Sequence, residues 1–299
     1  MTTCTQNAVL VYDVGGSHVT AAICQLDSGC YRLASVVSAP HPTEQTSDAF
    51  IQFLHSLGAE AAPGADGIVG AGLAFPGPFD YNAGISLAKH KLPFLFEVDL
   101  RSALAARFGW QTGQIRFIND AAAFLLGEIG AGAAHGIARS VGITLGTGIG
   151  SAFALDGHIV SEGSGVPSGG EIWNLPYESG IVEDYLSTRA IQGNYKNRTG
   201  KLLQVREIAD LAAKDQIAVE VFAEFGRHLG VALRKLLTPF APQVIVIGGG
   251  IARSPHLFLP AAQRELEGLS LDLKISELFD RAALVGAGVA WFDAANCTV

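Results

Sequence analysis

Residues 8–16, AVLVYDVGG, form an apolar run that closes on an acid and a pair of glycines. The run reads as a buried β-strand, and Asp13, Gly15, Gly16 and Ser17 fall at its end and in the turn beyond it. Residues 18–26, HVTAAICQL, read as a returning strand, Asp27-Ser28-Gly29 as a turn, and YRLASVVS as the third strand of a meander. A helix follows over residues 44–57, where Phe50, Ile51, Phe53, Leu54 and Leu57 keep helical spacing. Residues 67–74 are again an apolar strand, ending in the loop Phe75-Pro76-Gly77-Pro78-Phe79-Asp80. Residues 98–108 read as a helix closed by Gly109. Residues 114–118 read as a short strand, with Asn119-Asp120 at its end, where another helix begins at Ala121.

The opening pattern returns in the second half. Residues 140–160, SVGITLGTGIGSAFALDGHIV, are a strand, a glycine turn, a strand and an Asp-Gly turn. Residues 205–237 have helical patterning throughout, and VIVIGGG over residues 244–250 is a buried strand running into glycines, with helical segments to the end. The recurrence suggests two related halves, with a hinge near Ile118.

Length and composition set the frame. A chain of 299 residues, 49% hydrophobic and with 36 glycines, suits a packed α/β enzyme of one large or two medium domains. A net charge of −8 without clustered Lys or Arg argues against nucleic acid or an anionic membrane as partner. Cys4, Cys24, Cys30 and Cys297 show no C-x-x-C spacing, which fits free thiols in a reducing cytoplasm. The N-terminus has no secretory pattern, and no apolar window is long enough to span a bilayer.

Three glycine turns each follow an apolar strand: Asp13-Val14-Gly15-Gly16-Ser17, Gly146-Thr147-Gly148-Ile149-Gly150 and Gly248-Gly249-Gly250. Glycine lets backbone N–H groups approach a phosphate that a Cβ would hold off. Taken singly, each turn is equally an ordinary chain reversal. No G-x-x-x-x-G-K-[ST] is present, and Arg253 breaks a dinucleotide fingerprint after Gly248.

Together these segments resemble the ROK family of sugar kinases, within the actin/hexokinase superfamily. Asp13 to Ser17 match that family's first phosphate motif, D-x-G-G-T, with Ser17 in place of Thr. Gly146, Thr147, Gly148 and Gly150 match the second phosphate motif, and Gly248, Gly249 and Gly250 the turn against adenosine. Phe75-Pro76-Gly77-Pro78 resembles the sugar loop, and Asn119-Asp120-Ala121 the catalytic N-D-A. Glu171 in GGE and Glu183 before Tyr185 and Ser187 match two sugar-binding glutamates.

The resemblance implies an α/β fold of two ribonuclease-H-like domains with the active site in the cleft between them. The first domain would cover residues 1–118 and the second 119–299, with the last helix able to pack back on the first. It implies ATP and Mg2+ as cofactors, the metal near Asp13, and a hexose or hexose derivative as substrate. Asp120 would be the general base, and Gly77, Pro78, Asn119, Glu171, Asn174 and Glu183 would bind the sugar. It further implies a cytoplasmic homodimer. Local sequence alone gives Asp120 a second role, an N-cap for the helix after it. A sugar-sensing regulator of the same family and a polyphosphate-dependent glucokinase are the alternatives. The regulators carry a helix-turn-helix ahead of the first phosphate strand, whereas only a few residues precede that strand here.

Two departures bear on specificity. The family's zinc site, a histidine with C-x-C-x-x-x-x-C between the two glutamates, is replaced by WNLPYESG over residues 173–180, which predicts no structural zinc. Asn174 stands where the histidine would be. Lys91 precedes Leu92-Pro93 where the family carries Asn, and reads as solvent-facing.

Overall fold

The computed structural model describes residues 7–64 and 67–296. Within it the chain forms two compact units: one holds the described residues up to Gly132 and those from Asp280 onward, the other Ala133–Phe279.

In the first unit, β1 (Asn7–Val14), β2 (His18–Asp27) and β3 (Cys30–Pro40) make an antiparallel meander. Helix α1 (Ser47–Ala61) follows, then β4 (Ile68–Phe75), the two-residue strands β5 (Phe79–Asp80) and β6 (Ile85–Ser86), α2 (Leu100–Phe108), β7 (Ile115–Asn119) and α3 (Asp120–Ala131). The main sheet runs β3-β2-β1-β4-β7, with β1, β4 and β7 parallel. Thr46 caps α1, its hydroxyl accepting from the Ala49 N–H (3.2 Å), so the helix starts three residues later than its apolar spacing suggested. Phe50, Ile51, Leu54 and Leu57 fall on one face and are buried, each worth about 2 kcal/mol of transfer free energy. Asp99 caps α2 and Gly109, at φ 69°, closes it.

In the second unit, β8 (Arg139–Leu145), β9 (Ile149–Leu155) and β10 (His158–Val160) form another meander. A small hairpin, β11 (Pro176–Tyr177) and β12 (Gly180–Ile181), precedes α4 (Val182–Tyr185), α5 (Thr188–Thr199), α6 (Val205–Leu211) and α7 (Gln216–Leu237). Then come β13 (Val244–Gly248), α8 (Pro255–Glu265) and β14 (Asp272–Ile275), and the chain ends in α9 (Ala282–Asn296), which belongs to the first unit. The second main sheet runs β10-β9-β8-β13-β14, with β8, β13 and β14 parallel. Its strand order and directions repeat those of the first sheet element for element.

Three sequence expectations are corrected. The division between units falls at Gly132 rather than near Ile118, because α3 packs along α9 and against β4 and β7, which holds Asn119 and Asp120 in the first unit. The helical stretch over residues 205–237 is two helices: the Asp215 carboxylate accepts from the Ile217 N–H (2.9 Å) and starts α7 afresh. The stretch after Gly250 is not all helix, since β14 adds to the sheet beside β13. That strand is short and at a sheet edge, so its sequence, DLKI, carries little apolar pattern to announce it.

Cys24 is buried and Cys30 exposed, both as free thiols, while Cys4 and Cys297 lie outside the described residues. Among the described residues no helix is long and apolar enough to cross a membrane.

Candidate active site

In the first unit the parallel strands β1, β4 and β7 end side by side. Asp13 on β1 lies beside Ala74 on β4, and Phe75 lies beside Asn119 on β7. The carboxyl ends of these strands therefore bring the Gly15–Ser17 turn, the Pro76–Pro78 loop and Asn119-Asp120 to one edge of one sheet, where open α/β sheets bind ligands. The Gly15 N–H donates to the His18 carbonyl (3.0 Å) and closes the first turn. Nothing lies within 4 Å of the space a Cβ at Gly16 would take, and its φ is not left-handed. Among the described residues nothing requires a glycine there.

Asp13 is half-buried, and its carboxyl is pushed up to about 7, by burial first and then by the charges of Asp120 and Asp280. Asp280 was not anticipated. It lies far along the chain and reaches this edge because the segment from Asp280 folds with the first unit.

This crowding has a consequence for stability. The folded chain keeps a proton on Asp13 up to about pH 7, whereas the unfolded chain releases it near the ordinary 3.8. The native state then binds more protons between those values, so stability falls as pH rises from about 4 to about 7 and stays lower above. Asp13→Asn is expected to melt higher than wild type at pH 8 and close to it at pH 4, by about 2–4 °C for each kcal/mol relieved. Thermal melts across that range check it, and parallel pH profiles for the two proteins would refute it.

Asn119 is the cap of α3, a role local sequence had offered to Asp120. Its Oδ1 accepts from the N–H groups of Ala121 (3.0 Å) and Ala122 (3.1 Å). Its Nδ2 donates to the Tyr81 hydroxyl (3.1 Å), which donates in turn to the Phe75 carbonyl (3.1 Å). Among the described residues the second Nδ2 hydrogen makes no hydrogen bond. Asp120 opens the helix and is half-buried, with its Oδ1 accepting from the Ala121 N–H (2.9 Å). A Cβ at Gly77 would touch the Tyr81 hydroxyl (3.4 Å) and Asn119 Nδ2 (3.9 Å), so Gly77 abuts this network. Pro78 is exposed beside it, and so is Lys91. Tyr81 and its link to Asn119 could not be read from sequence, since the contact spans 38 residues.

In the second unit the two glycine turns meet. A Cβ at Gly249, whose φ is 86°, would overlap the Leu145 carbonyl oxygen, so this turn lies directly against the start of the Gly146 turn. The spaces for a Cβ at Gly146 and Gly250 are open. Within the turn the Gly146 N–H donates to Gly148 O (2.9 Å), and Gly150 pairs with Thr144 across the strands. Among the described residues the Thr147 and Gly148 N–H groups have no acceptor.

Glu171 and Asn174 are exposed. Trp173 between them, also unanticipated, donates from Nε1 to Glu171 Oε2 (2.8 Å) and fixes that carboxylate. Glu183 joins this segment through its N–H, which donates to the Trp173 carbonyl (3.0 Å), while its Oε2 accepts from the Ile149 N–H (3.3 Å) and its carboxylate occupies the space a Cβ at Gly148 would need. Where the family's zinc loop would be, the β11–β12 hairpin is braced by Tyr177, whose hydroxyl pairs with His228 Nδ1 (2.9 Å), and by the Tyr185 ring against both. Among the described residues no group of three His, Cys, Asp or Glu could hold a metal ion.

A family model described as the ROK family matches residues 9–293. The chain belongs to the ROK family. Among its relatives is the N-acetyl-D-glucosamine kinase of Yersinia enterocolitica, 27% identical over 274 residues that cover 85% of this chain and 87% of that protein. Among solved structures it is similar to the ROK hexokinase of Thermus thermophilus, with a TM-score of 0.80, 28% identity, and coverage of 97% and 99% of the two chains. It shares its fold with a ROK family glucokinase from Streptomyces griseus in complex with glucose and AMPPNP, with a TM-score of 0.78, 22% identity, and coverage of 95% and 99%. This ROK chain is accordingly a sugar kinase with an actin-like α/β fold.

Proposed function

We propose that the chain transfers the terminal phosphoryl group of ATP to a hydroxyl of a hexose or hexose derivative, with Asp120 as general base. The observation that carries this reading is the shared edge of β1, β4 and β7, where Asp13 and Asp120 lie close enough for one carboxylate to hold back ionisation of the other. A sugar hydroxyl placed at Asp120 is oriented by the carboxylate and gives up its proton as the phosphoryl group arrives. Asn119 presents its remaining Nδ2 hydrogen beside it, and Glu171, steadied by Trp173, offers two acceptor oxygens for sugar hydroxyls. The open spaces at Gly16, Gly146 and Gly250 suit a ligand that approaches the backbone closely, as the phosphates and adenosine of a nucleotide do.

Mg2+ fits the chemistry of Asp13, since a cation there would offset the burial, and with it the charges of Asp120 and Asp280, that keep its carboxyl protonated to about 7. When bound with the nucleotide, the ion would neutralise phosphate charge. The residues contribute the rest by positioning: donors preset around the phosphates and a base preset at the hydroxyl cost no reorganisation at the moment of transfer.

The test is a panel of glucose, mannose, fructose, allose, N-acetylmannosamine and N-acetylglucosamine with coupled detection of ADP, repeated with polyphosphate as donor. N-acetyl-D-glucosamine is the first sugar to try, given the relative in Yersinia enterocolitica. We expect ADP release that depends on one or two sugars and on ATP. Sugar binding without turnover on either donor would instead identify a regulator.

A further inference from the structure

Residues 171–185 fold back on themselves as two arms joined by the β11–β12 hairpin. One arm carries Glu171, Trp173 and Asn174, the other Glu183. Beyond the hairpin the arms stay paired, since the Val182 N–H donates to the Leu175 carbonyl (3.0 Å) and the Glu183 N–H to the Trp173 carbonyl (3.0 Å). A hairpin this short is marginal on its own. Here each arm sends a tyrosine to the same residue of α7. The Tyr177 hydroxyl pairs with His228 Nδ1 (2.9 Å), and the Tyr185 ring lies against the imidazole with 5.0 Å between centroids. The two tyrosine rings meet edge to face at 5.2 Å, and the Tyr185 hydroxyl pairs with the Ser179 hydroxyl at the hairpin tip (2.9 Å).

The donors around His228 assign its tautomer. Tyr177 has one hydroxyl hydrogen, and the His228 carbonyl lies within its reach (3.3 Å). Arg227 Nη2 can only donate, and it lies 3.3 Å from Nε2. Nε2 is therefore the acceptor, while Nδ1 carries the hydrogen and donates to Tyr177. A neutral ring satisfies both partners. Burial, and after it the Arg227 charge, lowers the pKa of His228 from its ordinary 6.5, against smaller opposing effects of Glu224 and Glu178. The platform beneath is rigid. Gly226 and Gly230 flank His228, and a Cβ at either would overlap a main-chain carbonyl oxygen of α8, that of Phe258 or of Ala262. Helices α7 and α8 thus touch backbone to backbone at this level.

We propose that His228 is a positioning residue for the sugar: by holding Tyr177 and Tyr185 to α7, it sets the spacing of the two arms and so of the Glu171 and Glu183 carboxylates. This rests on the reading of residues 171–183 as sugar-binding. Arms already held at their working distance spare a ligand the cost of ordering them.

The experiment measures sugar and ATP dissociation constants separately, with melting temperatures, for His228→Phe, Tyr177→Phe, the double variant and His228→Asn. Glu171→Ala serves as the reference for the arms themselves. The sugar probe is the panel sugar with the strongest ADP release, N-acetyl-D-glucosamine first. His228→Phe keeps a ring against Tyr185 but loses the bond to Tyr177, and Tyr177→Phe loses the same bond from the other side. Each is expected to weaken sugar binding roughly fivefold, as the loss of one neutral hydrogen bond would, and to leave ATP binding within about twofold. The double variant should bind no more weakly than either single one, because one bond is at stake. Asparagine can present its amide N–H where Nδ1–H stood, so His228→Asn should recover most of the sugar affinity.

Full sugar affinity in His228→Phe and Tyr177→Phe, with only the melting temperature lowered, would make the cluster a stability element and overturn the proposal. Additive losses, or an equal loss of ATP affinity, would overturn it as well. Glu171→Ala separates these results from failure of the underlying reading, since it should weaken sugar binding whatever His228 does. If Glu171→Ala binds the sugar as wild type does, these arms are not the sugar site, and the role of His228 falls with them.

Discussion

Asp120→Asn is expected to lower kcat by roughly a hundredfold to ten-thousandfold, the range over which a positioned base contributes to proton transfer. Binding should change little. Asparagine is nearly isosteric, and its Oδ1 can still accept from the Ala121 N–H that Asp120 now engages. The cap of α3 is Asn119, so the substitution does not uncover the helix end. The variant should therefore melt with wild type or slightly above it, because one of the charges that press on Asp13 is gone.

The pattern of the loss matters as much as its size. A group used only in the transition state lowers kcat and kcat/KM by the same factor, and a residual rate above background is expected from the donors proposed to hold the phosphates. Relief of Asp13 supplies an independent readout: its carboxyl should titrate lower in Asp120→Asn than in wild type, which NMR of the carboxyl carbon would register. A variant that turns over at the wild-type rate would remove Asp120 from the mechanism. A variant that loses ATP and sugar affinity together would make it a structural acid.

How far sequence could reach is clear from these residues. The strand ending in Asp13 was legible because β1 is buried along almost its whole length, so an unbroken apolar run stops abruptly at an acid and glycines. The second meander was legible for the same reason in residues 140–160. Asn119-Asp120 stood out through resemblance, but which of the two caps α3 could not be read, since either side chain suits the role. Three things were hidden because distant chain segments create them: the charge of Asp280 beside Asp13, the hydrogen bond from Asn119 to Tyr81, and the hold of Glu183 on Ile149. The boundary between units was hidden likewise. It depends on the packing of α3 against α9, two helices that are remote in sequence.

That packing carries the second large effect. Helices α3 and α9 touch backbone to backbone: a Cβ at Gly286 would overlap the Ala123 carbonyl oxygen and come within 2.8 Å of the Gly127 nitrogen, and a Cβ at Gly127 would overlap the Ala282 carbonyl oxygen. No side chain stands between them to turn aside. A residue larger than glycine at position 286 must therefore push two helices apart inside a close-packed interior. Overpacking usually costs about 1–3 kcal/mol, and this site lies beyond the usual range because the obstacle is main chain. We expect Gly286→Val to lose on the order of 4 kcal/mol, a drop of roughly 10 °C or more in melting temperature. Gly288→Ala is the comparison, since its new methyl group meets the Cys24 thiol, a side chain able to rotate, and the loss should be smaller. Because α3 begins at Asp120, the damage reaches the chemistry as well. Gly286→Ala, the milder change, should lower kcat at temperatures where the protein is still folded, by shifting Asp120, the proposed base, from its place after β7. Wild-type melting in Gly286→Val would mean that the two helices are not in direct contact, and that Asp120 is held in place by β7 alone.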